Sequence, residues 1–82
     1  MSKPNDTLPD PLVTASPERM SGEPVFAGTR VPVKSLFDYL EAGDPLEEFL
    51  IDFPNVSRAH AVAVLELARS KVAAEAASVA AE

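Results

Sequence analysis

Few residues in this 82-residue chain could do chemistry: one histidine, His60, no cysteine, and seven basic against thirteen acidic side chains. A lone histidine makes neither a nucleophile–base pair nor a metal centre, since a structural zinc needs four ligands and a catalytic one three. The acids Asp38, Glu41, Asp44, Glu47, Glu48 and Asp52 fall within 15 residues and read as the solvated faces of two helices. Of these, Asp44, Glu47 and Glu48 suit a helix N-terminus, where the dipole favours negative charge without a metal. The expectation is therefore a protein that is not an enzyme and holds no cofactor or metal. What remains is recognition by charge. Arg58, Arg69 and Lys71 make the last predicted helix mildly basic, so it is the one element suited to face phosphate, and His60 in its first turn can approach a phosphate or serve as a surface or capping residue.

The elements that must position these groups begin with Gly22-Glu23-Pro24-Val25-Phe26-Ala27-Gly28-Thr29-Arg30-Val31-Pro32-Val33. Two glycines permit positive φ, and Pro24 and Pro32 fix φ and press Glu23 and Val31 towards extended backbone. The stretch reads as a shaped connector, with Gly22, Pro24, Gly28, Thr29 and Pro32 as its structural motif. Leu12 to Ala15 and Val25 to Ala27 are short β-compatible runs, expected to pair with another subunit or to lie across the helices.

From Val33 the period changes. Val33, Leu36, Phe37 and Leu40 line one face of a first helix that Gly43 can end as the C′ residue. Asp44-Pro45-Leu46-Glu47 offers an N-cap, a proline at N1 and an acid at N3, opening a second helix with Leu46, Phe49, Leu50 and Phe53 on one side. Pro54-Asn55-Val56 interrupts it, and Ser57 caps a third helix running from Arg58 at least to Ser70. The pattern is a mainly α fold: a three-helix, homeodomain-like helix-turn-helix core with short N-terminal strands.

Three regions follow: a flexible arm over 1–10, the helical domain over 11–70, and an alanine-rich tail over 71–82. The third helix is apolar on more sides than a small core can cover, which points to a homodimer through Val64 and Ala68. In the tail, Val72, Ala76 and Val79 form a thin stripe suited to a groove on another protein, or else a frayed end.

Composition supports a chain that needs help. A folded chain of this size buries only about 60% of its unfolded surface, and without cysteine no disulfide can staple it, so oligomerisation is the expected remedy. The net charge is −6, unevenly spread: residues 33–56 hold one base and six acids, whereas 57–82 hold three of each. No apolar run reaches the roughly 20 residues a membrane span requires, and the first 20 residues are too polar for a signal peptide, so a cytoplasmic protein with no membrane contact is expected.

Gly22-Glu23-Pro24-Val25, then Gly28-Thr29-Arg30-Val31-Pro32-Val33, Glu41-Ala42-Gly43, Pro45-Leu46-Glu47-Glu48 and Phe53-Pro54-Asn55-Val56-Ser57 resemble the small bacterial family of unknown function 433 over about residues 12–70. The resemblance implies a homodimeric domain of the helix-turn-helix class, acting as the antitoxin of a type II toxin–antitoxin pair whose toxin is a PIN-like ribonuclease. Such a nuclease gathers carboxylates around Mg²⁺, so Arg30, Arg69 and Lys71 are the candidate cations to occupy that pocket while Val72, Ala76 and Val79 fill a groove. Operator binding and autorepression would place Ser57, Arg58, His60 and Ala61 nearest the DNA. Relatives more usually carry an acidic or polar residue just after this cap, where Arg58-Ala59-His60 stands. The alternative is a dimeric adaptor without DNA contact, which the acidic net charge favours.

Overall fold

The computed structural model describes residues 8–15 and 22–80. Along the chain lie β1 (Val13–Thr14), β2 (Val25–Phe26), α1 (Val33–Glu41), α2 (Leu46–Asp52) and α3 (Arg58–Ala80). The molecule is mainly helical, with three helices and one short antiparallel sheet. Most of the expected N-terminal arm lies outside the described residues.

The two strands pair with each other, in the register Val13 with Phe26 and Thr14 with Val25. They do not wait for a second subunit. The reason is local: β2 is already held on its other side, where Phe26 N–H donates to Val31 O and Val33 N–H to Pro24 O, at 2.9 and 3.0 Å. Between these bonds the chain reverses through a turn closed by Thr29 N–H to Phe26 O, at 2.9 Å. Gly28 occupies the third position of that turn with φ +81, a conformation that costs an L side chain about 1–2 kcal/mol. The Thr29 hydroxyl tightens it, donating to Phe26 O at 2.8 Å and accepting from Val31 N–H at 3.0 Å. The sequence motif is thus a braced hairpin whose far limb feeds directly into α1 after Pro32, itself extended at φ −65 and ψ 137.

α1 ends as its residues predict. Gly43 has φ +93; its N–H reaches Leu40 O at 3.1 Å, and Asp44 N–H reaches Tyr39 O at 2.9 Å. That pair of bonds satisfies carbonyls which would otherwise be orphaned at the helix end. The start of α2 differs from expectation by one residue: the N-cap is Pro45, not Asp44, and no side chain caps the helix. Its ψ of 158 is extended, so the helical turn begins only at Leu46, and Glu47 and Glu48 supply the acids of the first turn. Ser57 does cap α3, accepting from His60 N–H at 3.0 Å, an interaction that contributes about 1 kcal/mol.

Phe26, Val31, Leu36, Phe49, Val56, Ala61 and Val64 form the core, each helix and β2 contributing at least one. Phe26, Phe49 and Leu36 are its largest fully buried side chains, each contributing about 1.5–3 kcal/mol by leaving water. Aromatic rings bind the layers together: Phe26 and Phe49 are 5.9 Å apart, Phe49 and Phe53 5.0 Å, and Tyr39 stands edge-on to Phe49 at 5.7 Å. Tyr39 was not foreseen as part of this cluster.

α3 continues unbroken to Ala80. The helix runs on through the alanine-rich segment, because five alanines among residues 73–80 carry helix propensity onward after packing has stopped. No helix of the described residues is long and apolar enough to cross a membrane.

Candidate interaction surface

The side chains proposed for DNA are split by burial. Ala61 is fully buried and His60 is 6% exposed, so neither presents a side chain to a duplex, contrary to expectation. The cause is helical phase: His60, Ala61 and Val64 fall on the side of α3 that closes over Phe26 and Phe49. His60 Nε2–H donates to Leu12 O at 2.9 Å, and its ring meets Phe26 edge-on at 5.1 Å. The same Leu12 carbonyl accepts from Ala27 N–H at 2.9 Å, so one oxygen ties β1 to both β2 and α3. The histidine is a structural peg.

Ser57 and Arg58 are exposed. The Ser57 hydroxyl is engaged as the cap, and the Arg58 guanidinium forms an ion pair with Glu47 of α2. Both partners are more than half exposed, so the pair contributes little to stability but sets an acidic group beside the helix start.

Val64, expected at a dimer contact, is 3% exposed and belongs to the core of its own chain; Ala68 beside it is half-buried. The apolar surface that α3 leaves in solvent is elsewhere. Val62 and Leu67 are 40% and 41% exposed, and Val72 and Val79 reach 68% and 67%. From residue 69 to residue 79 every side chain is exposed. This distal part of α3 is an overhang, and Val72, Glu75, Ala76 and Val79 line one shallow open face along it, spaced i, i+3, i+4 and i+7.

Arg30 is exposed next to the braced turn, between Thr29 and Val31, whose backbones are both hydrogen-bonded. Arg69 pairs with Glu66 at 2.9 Å on the surface of α3. Among the described residues, Arg30 and Lys71 form no ion pair, in contrast to Lys34, Arg58 and Arg69. The structure therefore brings Arg69, Lys71, Val72, Ala76 and Val79 together on one helix, and presents Arg30 from a separate turn.

Two ionisable groups on the acidic side are perturbed. Tyr39 Oη donates to Asp52 at 2.5 Å, and this bond, aided by desolvation and the Asp52 charge, raises the phenol above its ordinary value of 10.0. Lys34, bonded to Asp38 at 2.8 Å, is raised above 10.5 chiefly by that bond and the carboxylate's charge. The signal that reasoning from sequence missed here is Ile51. It sits one helical turn after Glu47 and Glu48, and it is 69% exposed.

Neither the curated proteins nor the solved structures compared with this chain give a match. The sequence profile described as "Protein of unknown function (DUF433)" matches residues 13–68, which spans the hairpin, α1, α2 and the packed part of α3 and is more than half of the chain. The match stops where the overhang begins, and on its extent the chain belongs to the DUF433 family.

Proposed function

We propose that this protein is the antitoxin of a type II toxin–antitoxin pair, acting by direct binding to a PIN-like ribonuclease and not by catalysis. The observation that carries the reading is the overhang: a helix prolonged beyond its own core, with two valines exposed on one face and Arg69 and Lys71 at its near end. An exposed apolar stripe on a preformed helix is suited to a groove, and the preformed helix lowers the ordering cost of docking. Arg30 supports the same reading from the hairpin, since a guanidinium beside a braced turn loses little backbone freedom when it pairs with carboxylates.

Co-expression with a PIN-like ribonuclease, should one be encoded beside this chain, followed by an RNA-cleavage assay, tests this. The wild-type chain is expected to co-purify with the nuclease and suppress cleavage, and Val72→Asp with Val79→Asp to abolish both. An Arg30→Ala or Arg69→Ala protein that neutralises at wild-type strength removes that residue from the contact.

A second reading, a protein-interaction adaptor that does not touch DNA, is favoured by the start of α3. With His60 and Ala61 buried, and Arg58 held by Glu47, the free protein offers little to a phosphate backbone. Operator binding by the lone protein is therefore expected to be weak and steeply salt-dependent, with tighter binding only in the toxin complex. Gel-shift titration at two salt concentrations decides the point, and nanomolar binding by the lone chain at physiological salt contradicts it.

A further inference from the structure

The three most exposed large apolar side chains among the described residues are Ile51, Val72 and Val79, at 69%, 68% and 67%. The surroundings of Ile51 and Val72 differ in sign. Ile51 stands on the outer face of α2 with Glu47 and Glu48 at i−4 and i−3 and Asp52 beside it, and Asp44 lies just before the helix. Val72 has Arg69 at i−3, itself paired with Glu66, and Lys71 beside it, with the next acid at Glu75. With Glu47 held by Arg58 and Arg69 by Glu66, the charges left without an ion pair among the described residues include Glu48 near Ile51 and Lys71 beside Val72.

The overhang cannot cover Ile51 of its own chain, because all of its side chains from 69 to 79 are exposed. We infer that a second copy of this chain covers it: in solution the overhang of each protomer docks on the acidic α2 face of the other. Val72 seats against Ile51 with Lys71 facing Glu48, since Glu47 and Arg69 are already paired within their own chain, with Arg58 and Glu66. The contact is isologous, because each chain carries both halves and a twofold axis makes the two contacts at once.

The inference rests on the reading that the overhang is a binding element, and it adds a regulatory consequence. The face that a toxin requires is occupied by a second copy until the toxin displaces it. Self-association is then reversible and salt-sensitive, because exposed charges steer it and are screened. It also competes with partner binding. The arrangement moves the dimer contact away from Val64, which the core claims, to side chains that are exposed among the described residues.

Sedimentation of the full chain over a dilution series tests the inference without any toxin. The wild type is expected to pass from dimer to monomer on dilution, and earlier at high salt. Ile51→Lys and Val72→Asp should each weaken association at least tenfold. Glu48→Lys should weaken it as well, and combining it with Lys71→Glu in one chain should restore it. All four positions are exposed, and an unchanged far-ultraviolet dichroism confirms that the variants fold. A chain that is monomeric at every concentration overturns the inference, and so does a dimer that all of these variants leave intact. Neither result touches the antitoxin reading, which stands or falls on nuclease inhibition by the Val72→Asp, Val79→Asp protein.

Discussion

The two halves of α3 share one backbone and little else. From Arg58 to Ala68 the helix is held by packing: His60, Ala61 and Val64 are buried, and Ser57 caps its start. From Arg69 onward it is held by propensity, with alanines to favour the helical state and the side chains of residues 69–79 exposed. The contrast shows where a sequence invests in its own fold and where it keeps apolar surface unspent. A valine at position 64 closes a core, and a valine at position 72, eight residues further along the same helix, remains 68% exposed.

If packing governs the first half, Phe49→Ala should have the largest effect, since it empties the site where Phe26, Tyr39 and Phe53 meet. A loss of about 3–5 kcal/mol is expected. That is comparable to the whole stability of a chain this short, so thermal denaturation should show little or no cooperative transition. His60→Ala should cost about 1–3 kcal/mol, through the lost bond to Leu12 and the lost contact with Phe26. Chemical denaturation would register it, and hydrogen exchange should show β1 released first. A smaller loss of about 1 kcal/mol is expected for Thr29→Val, which leaves Val31 N–H without its acceptor. The same protein should present Arg30 less firmly and bind the nuclease less tightly.

The second half should behave in the opposite way. Val72→Asp, with its side chain in solvent, should move stability by no more than about 0.5 kcal/mol while removing the inferred self-association and the proposed toxin binding. A large loss of stability from this change would erase the distinction between the halves. The least effect belongs to pH. Tyr39 and Lys34 have folded values raised above 10.0 and 10.5, so their contributions are fully present below those values and lost as pH rises through the raised ones. Lys34 is exposed and Tyr39 only half-buried, so a fluorescence-monitored unfolding series should show only a gentle decline, confined to strongly alkaline solution.

Much of the core was legible in the sequence because its signals are local. The four-residue spacing from Val33 to Leu40, the glycine at position 43 and the serine at position 57 each act within a turn or two, and each does in the structure what its chemistry predicts. Asp44 misled because an aspartate before a proline looks like a cap, and only the extended ψ of Pro45 shows that the helix starts later. The interaction surface was less legible. Which side of α3 meets the core depends on the angle at which α3 crosses Phe26 and Phe49, and that angle is a tertiary property. Hence Val64, Ala61 and His60, all sensible surface residues by spacing, are inside. The tail stripe at Val72, Ala76 and Val79 could be read because nothing downstream competes for it. Ile51 could not, since a single apolar residue among acids carries no periodic signal.

Site-resolved hydrogen exchange along α3, measured on the full chain at high and low concentration, separates the packed half of the helix from the free one. Amides of residues 61–68 are expected to stay protected at every concentration, whereas those of 73–80 exchange rapidly in dilute solution and become protected as the chain associates. Strong protection of 73–80 in dilute, monomeric protein would contradict it, because the distal half would then be held by its own chain and would have nothing free to offer a partner.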